Sequence, residues 1–267
     1  MPALAPRLHL QRQRQAVALA DASARAADRA ARRVWAALWR AAADGDGWPR
    51  YVELLQLLMP SMRAAVGLSW RRLAVWAYNS EARLLAKSLP NRLTEDAEDD
   101  LLRSFLFDPP IESDVSRVLA PLLDPTRWAG GIGDRVRLSA VDMANQIAFG
   151  LSAGQTVGEL KKLLTPYFEG SRTRAMRSAR TFGLVAVQSM TREAHEQLGD
   201  LVVGYQVHRT PGADSRQAHI DRDGTIYWKS PGPGQKGLDE LPSPPLESDG
   251  SVAFNCLCYT TPVLRDV

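Results

Sequence analysis

Two cysteines, Cys256 and Cys258, stand one residue apart near the end of the 267-residue chain, which has no others. Asp214 and His219 lie upstream, with Asp221 and Asp223 just behind them and His208 ahead. Thiolate and imidazole are the donors that zinc prefers, and four donors complete a tetrahedron. His219, Cys256, Cys258 and Asp214 therefore form a candidate structural zinc set, with His208 the rival of Asp214 for the fourth place. An extended Cys-x-Cys puts both side chains on one face about two strand rises apart, so bending is required for both to reach one ion. The cysteines also have a plainer reading as small buried apolar residues. A disulfide inside Cys-x-Cys needs a strained ring. A different chemistry would use His208, Asp214, His219 and Asp221 or Asp223 in a metal-dependent nuclease or hydrolase, because phosphodiester hydrolysis needs a metal or a general base. No familiar nuclease spacing accompanies those residues.

The elements that must position these groups divide by pattern. Val17, Ala20, Ala24, Ala27, Ala31, Val34, Leu38 and Ala42 recur at spacings of three and four, which predicts one stripe of a long helix over 17–42. Its alanines permit close approach of another helix, whether in an arm or in a bundle. Asp44-Gly45-Asp46-Gly47 ends it, and Trp48-Pro49 opens a second helix that Pro60-Ser61 interrupts before it runs on to about Leu89. A short helix is expected over 113–123, a flexible joint at Gly130–Gly133, and a helix over 134–152. Thr156 and Glu159 have capping-box spacing, so a short helix starts at 157. A separate long helix follows over 171–198. After residue 200 the pattern becomes β-branched and aromatic. Strands are expected at 201–207, 225–228, 252–254 and 257–263, with an irregular Pro/Gly loop over 231–250. The fold class is α+β: a mainly helical region, 1–154, then a long helix and a small β-rich domain within 155–267.

Composition narrows the function classes. Two cysteines exclude a disulfide framework, and no stretch of about 18 apolar residues is present to span a membrane. The net charge of +3 conceals segregation. Residues 1–50 carry nine arginines against four acids, and residues 93–124 carry nine acids against two arginines. Lys161, Lys162, Arg172, Arg174, Arg177 and Arg180 face a single acid, Glu169, within 161–180. Such blocks suit charged partners, although each also reads as a solvated helix face. Arg172, Arg174 and Arg177 are the candidates for non-specific contact with double-stranded DNA phosphates, whereas Arg180 reads as an internal arginine paired with an acid of the C-terminal domain.

The ordered string Ser215-Arg216-Gln217-Ala218-His219, then Asp223-Gly224, a Pro-rich loop and Asn255-Cys256-Leu257-Cys258 resembles the phage head morphogenesis family, the Mu F-like minor head proteins. The usual family form has Thr before the first Arg and Arg inside Asn-Cys-x-Cys, where this chain has Ser215 and Leu257. Ala179-Arg180-Thr181 is similar to the start of the family's Ala-Arg-Thr-Glu, with Phe182 in place of Glu. His208 stands where a Trp is common, and Asp214 lies five residues before His219 rather than seven. The resemblance covers about 155–263. It implies a structural, non-enzymatic minor capsid protein in the virion or procapsid head, made in the host cytoplasm. Its implied partners are the portal protein and capsid components, with a role in head assembly, DNA packaging or DNA exit. It implies no membrane and no small-molecule substrate. Within that reading, the portal or capsid contact is expected from the acidic segment 93–124 or the alanine seam of the first helix. Removal of residues 1–43 is expected to leave the C-terminal domain folded.

Overall fold

A computed structural model describes residues 6–88, 115–117, 120, 132–210, 216–242, 244 and 253–265. Among the described residues four long helices come first: α1 (Pro6–Ala43), α2 (Trp48–Ser88), α3 (Ile132–Ser152) and α4 (Val157–Glu196). Then come β1 (Val202–His208), the short α5 (Gln217–Asp221), β2 (Ile226–Trp228), β3 (Lys236–Gly237) and β4 (Tyr259–Leu264). The α+β class holds: a helical majority followed by one small sheet. Residues 115–117 are helical, while the rest of the acidic segment 93–124, apart from residue 120, and Gly130–Gly131 lie outside the described residues.

Several boundaries differ from the sequence expectation for physical reasons. Pro60 and Pro166 lie inside α2 and α4 rather than ending helices. Each removes one N–H from the i→i−4 ladder. Around Pro60 the helix buries Tyr51, Leu55, Val66 and Trp70, and around Pro166 it buries Leu160, Leu164 and Phe168. Burying a large side chain stabilises by roughly 1.5–3 kcal/mol, so several of them outweigh a proline's helix cost of about 3 kcal/mol. The segments at 157 and 171 are thus one helix. Its start is the expected capping box: Thr156 N–H and Oγ1 each lie 2.8 Å from a Glu159 carboxylate oxygen, and Glu159 N–H donates back to Thr156 Oγ1 at 3.3 Å. Residues 253–255 form a turn, not a strand.

Close contacts group the chain into two compact units, each drawing on both sides of residue 154: residues 1–20, 71–120 and 181–267, and residues 21–70 and 121–180. Among its described residues the second unit is built from helices. Its core joins Val34, Leu38 and Trp39 of α1, Tyr51 and Leu55 of α2, Met143 and Ile147 of α3, and Leu160, Leu164 and Phe168 of α4. Trp35 stacks on Phe168 with ring centres 4.5 Å apart. Asp28 pairs with Arg172 at 2.7 Å and Asp21 with Arg180 at 2.8 Å, fastening α4 to α1. Arg180 is therefore acid-paired as expected, but its acid belongs to the first helix. The alanine seam is buried by the chain itself, with Ala20, Ala24, Ala27 and Ala31 at most 6% exposed. It is a packing surface of the bundle and is not open to a partner.

The first unit carries the sheet, ordered β3-β2-β1-β4. β1 runs antiparallel to β2, with Tyr205 opposite Tyr227, and antiparallel to β4, with His208 opposite Tyr259. Pro262 is tolerated because β4 is an edge strand. Val202, Tyr205, Val207 and Tyr227 are buried on this sheet.

Candidate metal centre

His219 comes from α5, not from an open loop. Its backbone N–H donates to Arg216 O at 3.0 Å, and its side chain is 5% exposed. The cysteines come from the turn that feeds β4. Asn255 adopts φ 63°, the left-handed conformation that Asn tolerates better than most residues. Asn255 N–H donates to Thr181 Oγ1 of α4 at 3.3 Å, and Cys256 N–H donates to Ala253 O at 3.0 Å. The carbonyl between the cysteines is held as well: Leu257 O accepts from Gln13 Nε2 at 3.2 Å and from Thr210 Oγ1. These anchors bend the Cys-x-Cys, which an extended strand would not.

The result is a convergence of residues nearly 40 positions apart. His219 Nδ1 lies 3.4 Å from Cys256 Sγ and 3.5 Å from Cys258 Sγ. All three ligand atoms fall within 4.8 Å of one another, and all three residues are buried. Cys258 N–H also points at Cys256 Sγ, 3.4 Å away. A hydrogen bond from Cys258 pulls the Cys256 thiol down to about 6 against the opposing effect of burial, with that N–H and His219 adding to the pull. Cys258, left holding the shared proton and buried, is pushed up, with nearby Arg222 opposing. The chemistry of the trio is that of a soft cation site with one thiolate already favoured.

The other candidates do not join it. Asp214 lies outside the described residues. His208 Nε2 is within 2.8 Å of Thr261 Oγ1, and its ring stacks on Tyr259. Burial holds its pKa below the usual value against the pull of Asp223. Asp223 accepts from the Arg209 N–H at 2.8 Å, and Asp221 from Gln217 Nε2 at 2.7 Å. Among the described residues, His219, Cys256 and Cys258 are the one group of three or more His, Cys, Asp or Glu close enough to share a metal. On α4, Arg172 is held between Asp28 and Glu169, at 2.7 and 2.6 Å, so it is engaged within the fold. Arg174 and Arg177 are exposed.

A second buried polar cluster escaped the sequence reading. Glu81 of α2 is fully buried. One carboxylate oxygen lies 2.7 Å from His195 Nε2 and 3.9 Å from His9 Nδ1, and the other lies 3.0 Å from Arg12 Nε. The Arg12 guanidinium donates to Ser80 Oγ, Ala77 O and Thr191 Oγ1 at 2.9, 2.8 and 2.6 Å, so its contact with Glu81 is charge attraction rather than a hydrogen bond. The signal was present: continued upstream from Ala20, the buried stripe of α1 passes through Ala16, Gln13 and His9 at spacings of three and four.

No family of known proteins, no curated protein and no solved structure matches this chain. In the described residues no helix is long and apolar enough to cross a membrane.

Proposed function

We propose that the chain is a structural minor head protein of a tailed phage or prophage, acting at the portal in head assembly, and that His219, Cys256 and Cys258 hold a structural zinc ion. The observation that supports this reading is the convergence of the two motifs that carry the family resemblance. Ser215-Arg216-Gln217-Ala218-His219 and Asn255-Cys256-Leu257-Cys258 meet at the buried trio, and Thr181 of the Ala-Arg-Thr string meets Asn255. The spacings suit zinc. Tetrahedral ligation with typical Zn–S and Zn–N lengths puts sulfur and nitrogen about 3.6 Å apart, close to the 3.4 and 3.5 Å found between His219 Nδ1 and the sulfurs. Zinc there would tie β4 and its turn to α5. Asp214 is the proposed fourth ligand. The chemistry is structural: the ion would add cross-links and no reaction.

The test has two arms. Protein purified without chelator should contain close to one zinc per chain by elemental analysis, falling towards zero in His219→Ala and Cys256→Ser. Particles assembled from the head proteins encoded beside it should contain the protein in a few copies. Metal-free protein of unchanged stability would reject the zinc, and absence from particles would reject the head role.

A further inference from the structure

We infer that Gln13 of α1 is a positioning residue of the metal centre, and that through it ion binding is coupled to the seating of the first turns of α1. The inference rests on the reading of His219, Cys256 and Cys258 as metal ligands. The peptide unit joining Leu257 to Cys258 is held at both of its polar groups. Its carbonyl accepts from Gln13 Nε2 at 3.2 Å and from Thr210 Oγ1, while its N–H, that of Cys258, points at Cys256 Sγ, 3.4 Å away. A peptide unit is planar and trans, so its C=O and N–H point in opposite directions. Donors that fix the carbonyl therefore fix where the N–H aims. An N–H aimed at a ligating sulfur is a bond of the kind that orients a ligand and tunes a metal site.

Two features set Gln13 apart from a residue that only packs. It is 1% exposed, on the buried line of α1 that runs through His9, Ala16 and Ala20, where an apolar side chain would need no hydrogen bonds. Its amide is also oriented at both ends. Leu257 O can only accept, so the amide presents its NH2 there, and Gln13 Oε1 accepts from Gln188 Nε2 of α4 at 3.4 Å. The grip on the turn between the cysteines is thus referred to two helices. Gln13 and Leu257 are 244 residues apart in sequence, so their contact exists only while α1 is seated against the turn. Thr210 shares the carbonyl but follows β1, the strand that pairs with β4. Coupling of this kind is reciprocal: the factor that the seated helix adds to ion affinity is the factor that the ion adds to seating.

The probes are zinc ion and cobalt(II) ion, added to the full-length chain as wild type, Gln13→Met and Gln13→Glu. Methionine keeps the length without a donor, and glutamate sets a carboxylate oxygen against the Leu257 oxygen. Zinc affinity is read by competition with a chromophoric chelator, the geometry of the site by visible absorption of the cobalt form, and folding by thermal unfolding with zinc and in chelator. The expected result is a loss of zinc affinity of roughly 10–100-fold in Gln13→Met, the usual effect of removing a group that hydrogen-bonds around a metal site. Gln13→Glu should lose more, with the cobalt spectrum shifted in both variants. Zinc should also slow hydrogen exchange at the amides of residues 10–17 in wild type and not in Gln13→Met. Variants that bind zinc as tightly as wild type with an unchanged cobalt spectrum, or wild-type amides in α1 that do not respond to zinc, overturn the inference and leave the metal reading standing. A Gln13→Met chain that fails to fold with or without zinc does the same, because the residue then serves the fold alone. Wild type that binds neither ion overturns the metal reading and this inference together.

Discussion

Glu81 keeps its charge with no access to water. Burial alone would push its carboxyl up, but Arg12, His195 and His9 outweigh that and hold it at about 2. Removing one member of a buried pair strands the other, which typically costs about 3–5 kcal/mol. Glu81→Ala should therefore lose a few kcal/mol in denaturant unfolding. The Glu81→Met, Arg12→Met double variant should lose clearly less than the sum of its single variants, and additive losses would show that the charges are not coupled. The cluster was hard to read because charged residues in helices are mostly exposed. Its members gave only spacing, whereas the cysteine trio announced itself by residue type. At that trio, chelator should lower the unfolding temperature of wild type and leave Cys258→Ser unaffected, since only wild type retains the full ligand set.

At the scale of elements, what could be read was what local chemistry decides. The Asp44–Gly47 stop turns at Gly45, φ 79°, and the box at Thr156 caps α4 as its spacing required. What could not be read was decided by packing at a distance. Pro60 and Pro166 are helix breakers by propensity and were overruled by the buried residues on either side. The bend at Cys256 is imposed by Gln13, Thr181 and Thr210, residues with no local relation to it. Pro166 is exposed and its ring leaves one α4 carbonyl without its helical donor. Pro166→Ala should raise stability by about 1 kcal/mol or more, measured as the denaturant midpoint at unchanged slope. Gly204→Ala should act oppositely. Its Cβ would lie 2.6 Å from the backbone oxygen of Tyr227 in the neighbouring strand, which cannot retreat without breaking the β1–β2 pairing.

For the whole molecule, α1, α2 and α4 each contribute to both units, so no single cut in the sequence frees either one. The expectation that residues 1–43 can be removed without harm to the C-terminal domain conflicts with this. Arg12 neutralises Glu81, and Gln13 holds the Leu257 carbonyl between the cysteines. The same buried cluster contributes to how the intact protein responds to acid, beside His208, whose pKa burial also lowers. Burial lowers His9 to about 4 from its usual 6.5, against the attraction of Glu81. Between those values the unfolded chain takes up a proton that the folded chain refuses, so this contribution is whole above pH 6.5 and disappears as the pH falls to 4. Glu81, at about 2 against an ordinary 4.5, contributes above pH 4.5 and loses that contribution on the way to 2. Both act in one direction, each on the order of 3 kcal/mol. The unfolding temperature, measured in chelator so that metal release does not add to the slope, should fall steadily from pH 6.5 downward. His9→Gln should flatten the limb between 6.5 and 4 and leave the limb below 4.5 in place. An unchanged upper limb in that variant would move the acid sensitivity away from α1 to groups elsewhere in the chain.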